Sequence, residues 1–159
     1  MEKLPLFHKV IASGFGAGCS PVAPGTAGTL VATLLWTAVA LITDDSFITM
    51  SINVGCAAVS SVLGVWSSGI AERFWGKDSK RIVVDEMAGA WIALLAVPSP
   101  HGWGYVVAAF LLFRFFDIAK PLGIRKAECL PGGFGVMADD ILAGLYSMFV
   151  IFIYRWVCA

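Results

Sequence analysis

The chain has 159 residues, 58% of them apolar and only 14% charged, with a mean hydropathy of +0.83 and a formal net charge of zero. Soluble domains average about 45–50% apolar and about 25% charged residues, so this chain has too little charge to cover a water-exposed surface and is expected to face lipid. A neutral chain with no basic arm is not a nucleic-acid partner, and its length suggests a single domain over residues 1–159.

The first ten residues carry Lys3 and Lys9 but no apolar run leading to a small-residue cleavage site, so a signal peptide is not expected. Gly14 to Gly28 is rich in glycine and proline and reads as a loop, not a helix. No charged residue occurs between Lys9 and Asp44, and Thr29 to Thr43 is the first helix candidate. A second neutral stretch runs from Ser46 to Ala71. The third, Met87 to Phe113, is interrupted by Pro98-Ser99-Pro100-His101-Gly102, which predicts a helical hairpin. Its arms extend to Arg81–Val97 and Trp103–Lys120 when the polar flanks are included. Ile141 to Tyr154 is the fifth candidate.

Several of these runs fall short of the roughly 20 residues that span a bilayer unless extended into their flanks. Runs of 10–14 apolar residues also suit buried helices of a compact soluble domain, which is the alternative fold. The expectation is an all-α, multi-pass membrane bundle of about five helices with interfacial polar loops. Parity supports it. With Lys3 and Lys9 in the cytoplasm, Asp44-Asp45 and the Pro98–Gly102 tip lie outside. Arg73, Lys77, Lys80, Arg81, Arg114, Lys120, Arg125 and Lys126 then all lie inside, together with every candidate catalytic acid.

Three polar segments interrupt the apolar chain. In Gly14–Gly28, glycines such as Gly25 allow close backbone approach to an anion, with Ser20 and Thr26 adding hydroxyls. No Gly-Lys-Ser/Thr follows, so this is not a Walker loop; the alternative is a turn packed on membrane helices. The second segment, Lys80 to Gly89, holds Asp85 and Glu86. The third holds Arg114, Asp117 and Lys120, then Gly132-Gly133-Phe-Gly135-Val-Met-Ala-Asp139-Asp140. Ionisable groups at the edge of apolar helices are costly, and are paired or functional. Five carboxylates with two bases suit a hard cation and a phosphate: Asp85, Glu86, Asp117, Asp139 and Asp140 as catalytic and Mg²⁺-ligating candidates, Arg114 and Lys120 for the anion. Neighbouring acids on a helix point about 100° apart, which makes Asp85, Asp117 and Asp140 the inner set and Glu86 and Asp139 outer or base residues. A plain interfacial salt-bridge network is the structural alternative. Asp85-x-x-Ala-Gly89 and Asp140-x-x-Ala-Gly144 repeat one pattern, which would set an acid above a small packing patch on each of two helices.

Four cysteines (Cys19, Cys56, Cys129, Cys158) show no Cys-x-x-Cys pair and no cysteine–five residues–arginine spacing. That argues against a zinc ribbon, a disulfide framework and thiol-phosphatase chemistry, and leaves four small packing residues. His8 and His101 read as ordinary loop residues.

Together the motifs Ser20-Pro-x-Ala-Pro-Gly-Thr-x-Gly28, Val84-Asp-Glu-x-x-Gly89, Phe113-Arg-x-Phe-Asp117-x-x-Lys-Pro121 and Gly132-Gly-x-Gly-x-Met-x-Asp-Asp140, with Ala143-Gly144 after it, resemble the phosphatidylglycerophosphatase A family. The resemblance covers most of the chain; Leu122-Gly123 departs from the proline-rich continuation expected after Lys120-Pro121. It implies a Mg²⁺-dependent enzyme of the bacterial inner membrane that dephosphorylates phosphatidylglycerophosphate, its site facing the cytoplasm. Two rivals are a CDP-alcohol phosphotransferase, whose spaced Asp-Gly…Ala-Arg…Gly…Asp…Asp pattern is missing here, and a small cation-coupled transporter, which would place acids near helix centres.

Overall fold

The computed structural model describes residues 3–77, 79–98 and 102–158, and among these it is all helical. Seven α-helices follow in chain order: α1 Leu6–Ala12, α2 Pro24–Thr43, α3 Ser46–Trp75, α4 Val84–Leu94, α5 Trp103–Ala119, α6 Ile124–Ala127 and α7 Gly133–Cys158, with a 3₁₀ turn at Ala17–Cys19. The five expected helices are α2, α3, α4, α5 and α7. The short α1 and α6 were not foreseen, since four to seven residues are too few to show a period. Ser99, Pro100 and His101 of the expected hairpin tip lie outside the described residues.

Local chemistry explains the boundaries. Pro24 occupies the first turn of α2, where its missing N–H costs nothing. This starts the helix five residues before the expected Thr29 and puts Gly25 and Thr26 inside it. Thr43 ends α2, and Asp45 caps α3 by accepting from the amides of Phe47 (2.7 Å) and Ile48 (2.9 Å). The helix α7 starts at Gly133, so Asp139 and Asp140 are helical residues, not loop residues.

The bundle is built inside out relative to a soluble protein. The buried stripe of α3 is Thr49, Asn53, Ala57, Ser60, Gly64, Ser67, Ser68 and Ala71. Its large apolar side chains, Phe47, Val54, Val59, Val62 and Trp66, face outward, as do Leu34, Leu41, Leu111, Phe115, Phe152 and Ile153 on the other long helices. Small residues let backbones approach while the large ones meet lipid, the arrangement of a membrane bundle. This removes the compact soluble alternative. By length and composition α2, α3 and α7 can each cross a bilayer.

The helix α4 is different. Its eleven residues span about 16 Å at 1.5 Å per residue, half of the roughly 30 Å hydrocarbon layer. Nearly all of it is buried, from Val84 through Leu94, and it packs against α2, α3, α5 and α7. It is therefore a central half-length helix and not the crossing that extension to Arg81–Val97 implied. Chain direction still alternates, because α2, α4 and α7 begin, and α3 and α5 end, at the same end of the bundle. Every lysine and arginine except Arg155 belongs to that end.

Two glycines at this end are required by close approach. A Cβ on Gly18 would lie 2.1 Å from the Arg81 carbonyl oxygen, and one on Gly25 would lie 2.3 Å from Glu86 Oε1. The glycine-rich segment thus packs directly on the loop and first turn that carry Asp85 and Glu86, pinned by the Val83 amide donating to the Ala12 carbonyl (2.9 Å). Behind it His8, expected as a loop residue, is a buried α1 residue whose Nδ1 lies 3.2 Å from Ser67 Oγ on α3.

The cysteines are all free, and Cys19, Cys129 and Cys158 are exposed instead of packed. They report topology. Cys129 lies beside α6 at the acid end and Cys158 ends α7 at the other. Variants that each retain one of these two cysteines should react with a membrane-impermeant maleimide from opposite sides of sealed vesicles. Labelling of both from one side would refute the chain path through α7.

Candidate active site

The carboxylates of Asp85 and Glu86, in the first turn of α4, converge with that of Asp140, in the second turn of α7. One oxygen from each lies within 4.8 Å of the others. Convergence depends on how α4 meets α7. A Cβ on Gly89 would fall 2.5 Å from the Asp140 carbonyl oxygen, and one on Gly144 would fall 2.4 Å from the Gly89 carbonyl oxygen. The two Asp-x-x-Ala-Gly patterns thus pack on each other through their glycines, which brings the two aspartates to a common space.

Both neighbours Asp85 and Glu86 join this group, against the expectation that only one of an adjacent pair could. Asp85 Oδ1 folds back to accept from the Glu86 amide (3.0 Å), and the longer glutamate arm covers the angular separation. Glu86 Oε2 and Asp140 Oδ1 are buried with no hydrogen-bond partner among the described residues. Three carboxylates this close repel one another unless protons or a cation intervene. Buried oxygens without donors, on oxygen-only ligands, fit a hard divalent ion.

The other two acids are occupied. Asp117 Oδ2 pairs with Arg114 Nη1 at 2.7 Å, and the same nitrogen points at Thr29 Oγ1, 3.4 Å away on α2. Arg114 Nε is buried without a partner among the described residues. Asp139 pairs with Lys120, which also binds Glu128 from the end of α6. Burial pulls the Lys120 ammonium down, but Asp139 and Glu128 outweigh it and hold it well above the usual lysine range. Lys120 therefore ties α5, α6 and α7 together instead of pairing with Asp117 three residues before it. Asp139 Oδ1 remains without a partner among the described residues.

Two clefts open on the triad and share Asp85, Glu86 and Val136 as a common wall. One, of about 450 Å³, is bordered by Gly25, Thr26, Lys80 and Arg114. The other, of about 640 Å³, holds Asp117, Lys120, Asp139 and Asp140, with Arg73 and Lys77 at its edge. Gly25 and Thr26 thus face the site. Ser20 does not line either cleft, and its hydroxyl donates to the Val22 carbonyl (2.8 Å). Thr29 and Glu128 belong to the site's hydrogen-bonding frame but were not legible from sequence. A threonine inside an apolar helix looks like lining, and Glu128 lies eight residues from the lysine it holds.

The profile of the family described as phosphatidylglycerophosphatase A matches residues 10–155. A Bacteroides thetaiotaomicron protein named "Putative phosphatidylinositol-3-phosphatase" is 48% identical over 157 residues, 98% of each chain. Two proteins named phosphatidylglycerophosphatase A are also similar. The one from Haemophilus influenzae is 40% identical (96% of this chain, 92% of its own), and that from Escherichia coli is 34% identical (90% and 80%). No solved structure matches this chain.

Proposed function

The chain belongs to the phosphatidylglycerophosphatase A family, and from that membership we propose that its Asp85–Glu86–Asp140 cluster holds Mg²⁺ and hydrolyses the phosphate monoester of phosphatidylglycerophosphate. The enzyme is a phosphatase of phospholipid metabolism, releasing inorganic phosphate and phosphatidylglycerol. The observation that carries the metal reading is the cluster itself, one oxygen from each of three carboxylates within 4.8 Å of the others and two carboxylate oxygens without donors among the described residues.

A Mg²⁺ ion held there would supply positive charge and Lewis acidity at the phosphate. The chain's own groups do the rest. Arg114, fixed by Asp117 and Thr29, retains an Nε–H unengaged among the described residues for an equatorial phosphoryl oxygen, where charge accumulates in the transition state. The first turn of α2 at Gly25 and Thr26 adds the positive end of a helix dipole to the same cleft. Bare glycine at position 25 lets that turn sit against Glu86. The carboxylates also offer a proton acceptor for an attacking water. The Lys120–Asp139–Glu128 link holds the α5–α7 connection in place beside Asp140.

The bundle is a membrane protein, and we assign its acid end to the cytoplasmic face of the bacterial inner membrane. The excess of lysine and arginine at that end is the charge bias that marks the cytoplasmic side. A phospholipid headgroup lies at the same level as the clefts.

Phosphate release from phosphatidylglycerophosphate micelles is expected to fall to background after EDTA and to return with Mg²⁺. Full activity after exhaustive chelation would sink the metal assignment. The same assay with phosphatidylinositol 3-phosphate tests the headgroup, since a relative of this chain is named for that lipid. Faster turnover of the inositol lipid would overturn the substrate assignment but leave the cluster's chemistry intact.

A further inference from the structure

At the end of the bundle opposite the carboxylates lies a small cavity of about 240 Å³ that the phosphatase reaction does not use. Ser46, Thr49, Asn53, Pro98 and Arg155 are among its lining residues. Asn53 is 2% exposed, and neither its Oδ1 nor its Nδ2 has a partner among the described residues. Leaving a buried carboxamide wholly unpaired is unfavourable, and polar groups inside membrane bundles are usually paired or functional. Arg155 is the one lysine or arginine at this end, and its Nη1 donates to the Ala96 carbonyl (2.6 Å), which leaves four N–H donors of the guanidinium without a partner among the described residues.

The cavity does not stand alone. Trp36, Thr49 and Asn53 also line a larger apolar groove of about 530 Å³ between α2 and α3. The groove follows Leu35 and Val39 on α2 and Ile52, Cys56, Val59 and Leu63 on α3. From Thr49 to Leu63 is fourteen residues, about 21 Å of helix, more than half of the roughly 30 Å hydrocarbon layer. A polar, cationic pocket at the bilayer edge opening into an apolar groove long enough for an extended acyl chain matches one class of molecule, in headgroup and in chain.

We propose that the Arg155–Asn53 pocket and the α2–α3 groove form a binding site for one phospholipid of the leaflet opposite the catalytic carboxylates. Its phosphodiester is held by the Arg155 guanidinium and the Asn53 carboxamide, and one acyl chain lies along α3. The inference rests on the bundle crossing the membrane, not on the substrate assigned to the acid cluster, and the polar pocket lies at the opposite end of the bundle from that cluster, while the groove runs on to Val84 and Met87 beside it.

Delipidated enzyme in neutral detergent, incubated with phosphatidylglycerol and examined by native mass spectrometry, should retain one lipid more than either of two variants. Arg155→Gln removes the anion partner. Gly55→Leu fills the groove from a position where an added Cβ meets nothing within 4 Å. Both variants should keep wild-type turnover, which separates loss of this lipid from loss of the catalytic site. In wild type, phosphatidylglycerol should also slow maleimide modification of the groove residue Cys56 at least about tenfold, while diacylglycerol of the same chains and inorganic phosphate should not. Equal lipid retention by wild type and both variants would overturn the proposal. So would equal protection by diacylglycerol, which would leave only an apolar groove, or by inorganic phosphate, which would leave only a soluble-anion site.

Discussion

Replacing Asp140 by Asn is expected to lower turnover on the order of 10³-fold or more, about 4 kcal/mol of barrier, without unfolding the protein. Asp140 is 3% exposed, shares a 4.8 Å cluster with Asp85 and Glu86, and has a buried oxygen with no donor among the described residues. Exchanging it for an isosteric amide removes one of three mutually repelling carboxylates, so the metal-free variant should melt no lower than metal-free wild type. Wild type should be stabilised by Mg²⁺ by mass action, about 2.7 kcal/mol at a hundredfold excess over Kd, and the variant should lose most of that gain. The pairing of a lost rate with a lost metal-dependent shift in Tm distinguishes a ligand from a structural acid. Near-normal turnover would remove Asp140 from the site. A metal-free variant that melts well below wild type would show that the cluster is held by protein contacts alone.

Gly144→Val is expected to damage the fold itself. The Cβ it introduces would lie 2.4 Å from the Gly89 carbonyl oxygen and 3.0 Å from two further backbone atoms of Gly89. Backbone cannot swing aside as a flexible side chain can, so α7 must move away from α4. Overpacking costs about 1–3 kcal/mol and occasionally more; two further methyl groups at a backbone-to-backbone contact put this case at or above the top of that range. Activity should fall further than stability, because separating the helices also separates Asp140 from Asp85 and Glu86. Gly55→Ala is the control, also within a helix but with open space at its Cβ. It should gain roughly 0.5–1 kcal/mol from the higher helix propensity of alanine. The measurement is Tm in one fixed detergent, with phosphate release alongside. A Gly144→Val protein with wild-type Tm would contradict the helix contact.

How much was readable beforehand differs by feature. The membrane bundle was legible because it depends on composition: a chain with so few charges must place leucine, valine and phenylalanine outward, and Phe47, Val62 and Phe152 are exposed accordingly. The five principal helices were legible from their apolar runs and from the break around Pro98 and Gly102. Convergence of Asp85 and Asp140 was legible through a short repeated pattern, since acid and glycine four residues apart share a helix face.

Which acids meet, and which are taken by a base, only the tertiary structure decided. Lys120 follows Asp117 by three residues, a spacing that shares one face inside a helix, yet Lys120 is the C-cap of α5 with φ +46°, where helical periodicity no longer governs its direction, and it binds Asp139 and Glu128 instead. Glu86 joined the cluster because a glycine on another helix leaves room for its carboxylate, a fact no local spacing carries. The true length of α4 was hidden for a related reason. An apolar run reads the same whether lipid or protein surrounds it, and only the packing of α2, α3, α5 and α7 around Val84–Leu94 shows that this helix is enclosed by protein.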